Sequence, residues 1–273
     1  MQIKILSFNV WDIPFWFSVK RHERIHRLGH YLKEINPDVI CLQEAFDVKH
    51  RADLRELLGK EIYDETEGNG KTRRILLFKR FDLTGGLVVF SKLPIIKSAF
   101  HPFRRFVDMM FAEYIGRKGV LQVIVATPKG PLMIMNTHFH TGSLSIDRQV
   151  RLKQMKQLIK AAHAAKEMPV VVLGDFNEHD MTKHQDYIPL LRKGGLQDAA
   201  SDANKKEEAK PTVRLGNRYH SKTWFNRSRV SKRLDYILVK NLGPAGLKIT
   251  EYKVLEQPKD PISDHDPLVV TIE

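Results

Sequence analysis

Residues 169–177 read PVVVLGDFN, and the layout of the chain follows from how that stretch is parsed. Four apolar residues in a row, three of them β-branched, read as a buried strand. Pro169 stands at its start, where a missing N–H does least harm. Gly174 and Asp175 close it, so a buried strand delivers a carboxylate at its tip. Asn177 lies two residues further on, so its amide can project toward the same place from the following turn.

The same pattern recurs on both sides. IKILSFN (3–9) ends at Asn9, DVICLQE (38–44) at Glu44, and LMIMNTH (132–138), entered through Pro131, at His138. Toward the C-terminus the order inverts. Asp235 opens LDYILV (234–239), and Asp264 with His265 comes just before LVVTI (268–272). Strands are expected at 3–10, 38–43, 74–79, 86–91, 119–126, 131–138, 169–175, 234–239 and 267–272. Helices are expected at 21–35, where Ile25, Leu28, Leu32 and Ile35 make one stripe, and at 147–166, where Leu152, Met155, Ile159 and Ala162 do the same. Asp147 reads as a cap or first-turn acid of the latter. Shorter helices are expected near 51–59 and 185–193. Frequent strands, few helices and short links between strands argue for antiparallel or mixed sheets with helices on their outer faces, rather than for a fully parallel sheet. In such sheets the ends of some strands lie beside the starts of others. All of these polar groups can then gather along one edge of the core.

That gathering collects carboxylates, two amides and two imidazoles. Hard oxygen donors of this kind suit Mg²⁺ or Mn²⁺ and not Zn²⁺. Glu44 is the best single candidate ligand, with Asn9 as a carbonyl ligand or as its support. The one cysteine among 273 residues, Cys41, excludes an intrachain disulfide and a cysteine-based zinc site.

With 42% apolar and 28% charged residues the composition is that of a globular chain and not of a disordered one. No run approaches the ~18 consecutive apolar residues of a membrane span. No internal repeat and no shift in composition marks a boundary, so one domain over 1–273 is expected, as a monomer, with 201–211 as a polar loop. The N-terminus MQIKILSFNVW reads as a strand and not as a leader. That implies a cytoplasmic protein if the N-terminus is native, and a secreted one if a signal peptide was removed. Lys plus Arg exceeds Asp plus Glu by 45 − 32 = 13, which favours polyanionic partners: nucleic acid, an anionic membrane or a phosphorylated small molecule. Lys210, Arg214, Arg218, Lys222, Arg227, Arg229, Lys232 and Arg233 fall in a stretch without one acidic residue. It reads either as a solvated loop or as a basic rim beside a phosphate site.

SFNVW (7–11), CLQE (41–44), NTHFH (136–140), GDFN (174–177), RLDYILV (233–239) and SDHDP (263–267) resemble, in content and order, the motifs of the endonuclease/exonuclease/phosphatase superfamily, whose members are similar to deoxyribonuclease I. The resemblance spans 1–273. It implies a four-layer α/β sandwich: two mixed, mostly antiparallel sheets packed face to face, with helices outside. It also implies Mg²⁺-dependent cleavage of phosphate esters. By the same resemblance Glu44 holds the metal and Asp264 supports it or its waters. Asp175 orients or deprotonates the attacking water, and Asn177 donates to developing oxyanion charge. Asp235 fixes the tautomer of His265, and His138 contacts the phosphate or protonates the leaving oxygen. The choice of base between Asp175 and His265 stays open.

Two departures bear on the substrate. Apurinic-type endonucleases carry Tyr-x-Pro-Asn where this chain has Asn136-Thr137-His138, and inositol polyphosphate 5-phosphatases follow Gly-Asp-x-Asn with Tyr-Arg where it has Glu178-His179. The likeness is strongest to the neutral sphingomyelinase branch. It is carried by Asn9-Val10-Trp11 with Ile13-Pro14, RIHRLGHYL (24–32), GGLVVFSKLPI (85–95), Lys118-Gly119, and the helix with Arg148 and Gln149. The resemblance therefore implies a sphingomyelinase-like phospholipase C activity, with cleavage of DNA or RNA as the alternative and inositol phosphate hydrolysis behind both. Aromatic residues crowd two segments: Trp11, Phe15, Trp16 and Phe17; and Phe100, Phe103, Phe106, Met109, Met110, Phe111 and Tyr114, interleaved with Arg104, Arg105 and Arg117. They suit a lipid interface, and equally internal packing or stacking on nucleic-acid bases.

Overall fold

Side-chain parity along the strands separates the layers. In the computed structural model, which describes residues 1–14, 18–59, 64–67, 85–104, 116–203, 210–220 and 230–273, strand β8 (Val170–Asp175) turns Val171 and Leu173 into a core between two sheets. Val170 and Val172 face the other way, onto a helix. The first strand, β1 (Ile3–Asp12), sorts its residues likewise: Ile3 and Ile5 between the sheets, Leu6, Phe8 and Val10 beneath helices.

The chain continues through α1 (Arg21–Ile35), β2 (Val39–Ala45), α2 (Val48–Leu58), β3 (Asp64–Glu67), β4 (Val88–Ser91), β5 (Ile95–Pro102), β6 (Gly119–Thr127) and β7 (Gly130–His138). After α3 (Ser145–His163) and β8 come α4 (Ile188–Gly194), β9 (Gln197–Asp198), α5 (Ala199–Ala203), β10 (Asp235–Lys240), β11 (Ile249–Val254) and β12 (Leu268–Ile272). One six-stranded sheet has the order β11-β12-β1-β2-β4-β3 and the other β5-β6-β7-β8-β10-β9. Each contains one parallel pair, β1 with β2 and β7 with β8, and is otherwise antiparallel. Helices α1 and α2 cover the outer face of the first sheet, and α3 covers that of the second. The result is the four-layer sandwich.

The expected stripes are those that pack. Ile25, Leu28 and Leu32 of α1 and Met155, Ile159 and Ala162 of α3 are buried. Helix α2 starts three residues before the expected 51, because the Asp47 carboxylate accepts the Lys49 and His50 N–H groups. At α3, Asp147 Oδ2 accepts the Leu144 N–H at 2.9 Å.

Four strands lie outside the expected set: β3, β5, β9 and β11. They are the four edge strands of the two sheets. The expected strand at 74–79 falls outside the described residues, as do 204–209 of the polar loop.

Of the aromatic residues open to a lipid interface or to internal packing, Trp11 and Phe103 are packed inside. Trp11 stacks on Tyr219 with centroids 5.5 Å apart, and Arg24 lies over its ring. Phe103 meets Phe139 edge to face at 5.3 Å within the core beneath α3, and Phe100 packs against the core between the sheets. Phe15, Trp16, Phe17, Arg105, Phe106, Met109, Met110, Phe111 and Tyr114 lie outside the described residues. The basic stretch is also partly neutralised. Arg214 pairs with Asp266, Arg218 with Asp260, and Arg233 forks onto the buried Asp198 at 2.7 and 2.8 Å. Lys222, Arg227 and Arg229 are not among the described residues.

Candidate active site

Between the sheets, the inward-facing stripe of four central strands turns from apolar to polar at one end. It runs Ile3, Ile5, Ser7, Asn9 along β1 and Leu132, Ile134, Asn136, His138 along β7. Along β8 it runs Val171, Leu173, Asp175, and along β10, from its far end, Val239, Ile237, Asp235. Register does the rest: His138 pairs with Asp175 across the parallel β7–β8 ladder, and Asp175 with Asp235 across the antiparallel β8–β10 ladder. Three chemically active side chains therefore stand abreast on adjacent strand ends. Gly174 makes this possible. Its φ is +142°, and a Cβ there would meet the Thr137 carbonyl oxygen at 1.9 Å.

Glu44 breaks the parity of its strand. Leu42 and Ile40 face the helices, and strict alternation would send residue 44 the same way. A left-handed backbone at Glu44, φ 56°, reverses this and turns the carboxylate toward the site. Asn9 ties it there, its Nδ2 donating to Glu44 Oε1 at 3.1 Å and to Asp175 Oδ2 at 3.0 Å. The Asn9 side-chain oxygen accepts the Trp11 N–H at 3.0 Å, and since an N–H can only donate, the amide's orientation is fixed. Asn9 stands in the structure as support for the carboxylates. His138 Nε2 lies 3.7 Å from Glu44 Oε1 and 3.4 Å from Asp175 Oδ2.

Asp235 Oδ2 sits 2.8 Å from His265 Nδ1, which leaves Nε2 facing the pocket 3.8 Å from Asp175 Oδ2. Asp175 Oδ1 accepts the Asn177 N–H at 2.8 Å, and Asn177 Nδ2 donates one hydrogen to the Phe139 carbonyl at 3.1 Å. Ligand atoms of Glu44, His138 and Asp175 lie within 4.8 Å of one another, and so do those of Asp175, Asp235 and His265. Asp175 is common to both triads. Asp264 belongs to neither. It is buried beside them, and its charge is felt at Glu44, at His265 and at Arg24.

These acids are poorly matched to their surroundings without a cation. Burial, then the charge of Asp264, pushes the Glu44 carboxyl up to about 7. Burial first, and Asp235 with it, pushes Asp175 up to about 6 against the pull of His265. At His265 burial opposes the charged form, but Asp235, Asp175 and Asp264 outweigh it and hold the imidazolium well above its ordinary range. Glu44 Oε2 is buried without a hydrogen-bond partner. A divalent cation against Glu44 removes each of these penalties, so the donor set fits one.

Four further supports, to which the sequence reading gave no role, complete the site. Lys118 is buried, donates to the Phe139 carbonyl at 2.7 Å and to Thr141 Oγ1 at 2.9 Å, and its charge lowers both Glu44 and Asp175. Gln43 reaches across the sheets to Asn136 Oδ1 at 2.8 Å. Ser263 Oγ donates to the Asn9 backbone carbonyl at 2.6 Å and accepts the His265 N–H at 3.3 Å. Gln257 grips the 262–266 loop from behind, accepting the Ile262 and Ser263 N–H groups at 2.7 and 2.9 Å and donating to the Ser263 carbonyl. A polar residue inside an apolar run was the available signal for Gln43 and Asn136. Lys118 and Ser263 stand in the quoted Lys118-Gly119 and SDHDP motifs, and nothing local marks Gln257.

A sequence model described as the Endonuclease/Exonuclease/phosphatase family matches residues 6–265. The chain is 27% identical over 195 residues to "Sphingomyelinase C 2" of Leptospira interrogans, covering 65% of this chain and 31% of that protein. It is 25% identical over 294 residues to a "Putative neutral sphingomyelinase" of Drosophila melanogaster, covering 100% of this chain and 61% of the fly protein. The chain thus spans less than two thirds of either relative. A crystal structure of beta toxin from Staphylococcus aureus with bound magnesium ions superposes with a TM-score of 0.75 at 18% identity, covering 99% of each chain.

Proposed function

We propose, from the premise that the chain belongs to the Endonuclease/Exonuclease/phosphatase family, that it is a divalent-metal-dependent phosphodiesterase of the sphingomyelinase type, formed by 1–273 as a single domain. In this reading it cleaves a phospholipid as a phospholipase C does, releasing the phosphorylated headgroup. The observation that carries the chemistry is the pair of triads sharing Asp175, one fitted to a cation and one to a proton. The names of the relatives support the choice of a sphingolipid.

Glu44 would hold Mg²⁺ or Mn²⁺, with His138 and Asp175 at ligand distance and Asp264 adding negative charge nearby. When bound, such an ion neutralises phosphate oxygens and acidifies a water. The protein's own groups do the remaining work. Asp175 orients the attacking water; both of its oxygens already accept hydrogen bonds, which makes it a fixed acceptor. His265 Nε2 takes the water's proton, and Asp235 stabilises the imidazolium that results. As the water oxygen bonds to phosphorus, the bond from phosphorus to the leaving oxygen breaks, and His138 supplies that oxygen with a proton. The second Asn177 amide hydrogen points its positive end at the developing oxyanion. Metal-dependent turnover of sphingomyelin vesicles, abolished by EDTA and restored by Mg²⁺ or Mn²⁺, is the expected result of a panel that includes phosphatidylcholine, an inositol phosphate, DNA and RNA. Turnover confined to the nucleic acids would replace this reading with a nuclease.

A lipid partner is supported by where exposed apolar side chains stand. Met1 and Ile96 are single and lie at the sandwich end remote from the site. Leu144 with Ile146, and Leu215 with Val230, are exposed in pairs at the end where the triads lie, 67% and 41%, and 49% and 55%. The first pair opens α3, and the second flanks the Val213–Lys232 bridge, with Val213 also bridging His265. Single exposed apolar residues are ordinary; pairs grouped at a site are not. Leu144→Ser with Ile146→Ser is expected to weaken binding to sphingomyelin vesicles while hydrolysis of a soluble phosphodiester stays unchanged. Loss of both would mean that the variant damages the site itself.

A further inference from the structure

Helix α1 carries His22, His26 and His30, each four residues from the next and all exposed. Residues four apart on a helix have Cβ atoms about 5–6 Å apart, so neighbouring imidazoles of this series can reach one ion. The His26 and His30 rings do converge: their centroids are 4.9 Å apart and their planes are inclined at 59°. His22 turns instead toward His50, with ring centroids at 5.8 Å. The segment His22-Glu23-Arg24-Ile25-His26 has the spacing of a helical zinc-hydrolase motif. Here Arg24 and Ile25 are buried and Glu23 pairs with Lys20 at 3.2 Å, so no catalytic carboxylate stands beside the pair.

The backbone under these rings is held firmly. Arg24 donates to the carbonyls of Val10, Trp11, Val19 and Ile262 from the buried side of the same helix, and Leu28 and Leu32 pack beside it. Neither His26 nor His30 makes a hydrogen bond to a described residue. Two pre-placed nitrogen donors on a rigid helix are a chelate, with the remaining coordination positions left to water.

We propose that His26 and His30 form a binding site for a borderline divalent transition-metal ion of the Zn²⁺, Cu²⁺ and Ni²⁺ class, separate from the acidic site between the sheets. Imidazole selects these ions, whereas Mg²⁺ prefers oxygen donors. Mg²⁺ in excess therefore does not compete on α1, and whatever Ni²⁺ enters the acidic site through His138 is common to wild type and the α1 variants.

The test is a titration of the full chain, free of any polyhistidine tag, with Ni²⁺ in saturating Mg²⁺, followed by calorimetry at pH 7.5. Wild type is expected to bind one Ni²⁺ more than the His26→Ala, His30→Ala double variant. His26→Ala and His30→Ala should each weaken it at least about tenfold, no less than the loss of an outer-shell partner costs at metal sites. His22→Ala should bind as wild type does. Phosphodiesterase activity and circular dichroism should be unchanged in all three, since none of these side chains touches the acidic site and only His22 meets a buried ring, that of His50. Equal Ni²⁺ binding by wild type and the His26→Ala, His30→Ala double variant overturns the proposal, as does a loss in His22→Ala with none in His30→Ala.

Discussion

Glu44→Gln is expected to lower phosphodiester turnover roughly 10³-fold or more while the protein stays folded, because several kcal/mol of charge stabilisation depend on a cation that a neutral amide holds poorly. Shape is kept and only the charge is lost, so Asn9 still has an oxygen to donate to. The same variant separates metal binding from folding. In the metal-free protein the Glu44 carboxyl is raised to about 7, whereas in the unfolded chain it titrates near ~4.3. Between those values the native state holds a proton that the unfolded state has released. Stability of the metal-free wild type must then fall as pH rises through that window, by about 4 kcal/mol at most. Asp175, raised to about 6, adds a slope of the same sign. Glu44→Gln should flatten the loss, and Mg²⁺ should stabilise wild type far more at pH 8 than at pH 5.5. Denaturant melts at several pH values, with and without Mg²⁺, measure both. Near-normal turnover in the Glu44→Gln variant would remove Glu44 from the metal site.

Asp235→Asn is expected to cost on the order of 10⁴-fold in turnover, the scale seen when a buried carboxylate behind a catalytic imidazole is neutralised. An amide at 235 can still meet His265 Nδ1, but it can present the wrong group and it stabilises no imidazolium. The His265 imidazolium is held above its ordinary range by three acids acting against burial, and Asp235 comes first among them. Its removal should carry the imidazole pKa downward. Two signs follow. The stability that protonated His265 contributes, present at low pH and lost as pH rises through the folded value, should shrink in the variant. If His265 is the base, the acidic limb of the pH–rate profile should also move to lower pH as the plateau falls. A lowered plateau with an unmoved limb would hand the base to Asp175.

How far the sequence reveals such a site is a matter of burial. Each strand with neighbours on both sides was legible, because burial on two faces forces a run such as VVVLGD or LMIM. The strands that escaped are the outermost ones. Ile95–Pro102 buries no residue fully, and Ile249–Val254 sets Thr250, Glu251 and Lys253 among its apolar residues, so neither writes a continuous hydrophobic run. Of the site, Asp175, Asp235 and His138 could be found because strand ends announce themselves. The inversion at Glu44 could not, since a left-handed φ in a glutamate leaves no mark on composition. Trp11 and Phe103 stayed undecided for the opposite reason. A crowded aromatic segment reads as an interface and equally as internal packing, and only tertiary contacts show that Tyr219 and Phe139 cover these two.

The hydroxyl of Ser263 joins segments 254 positions apart, and β1 lies against β12 from Ile3 opposite Ile272 to Ser7 opposite Leu268. A polypeptide growing on the ribosome therefore makes Asn9 and Glu44 early and keeps them incomplete until residues 263–272 emerge and dock. Contacts of such separation await that docking, so a nascent polypeptide short of residue 263 has every strand of the first triad and no assembled site.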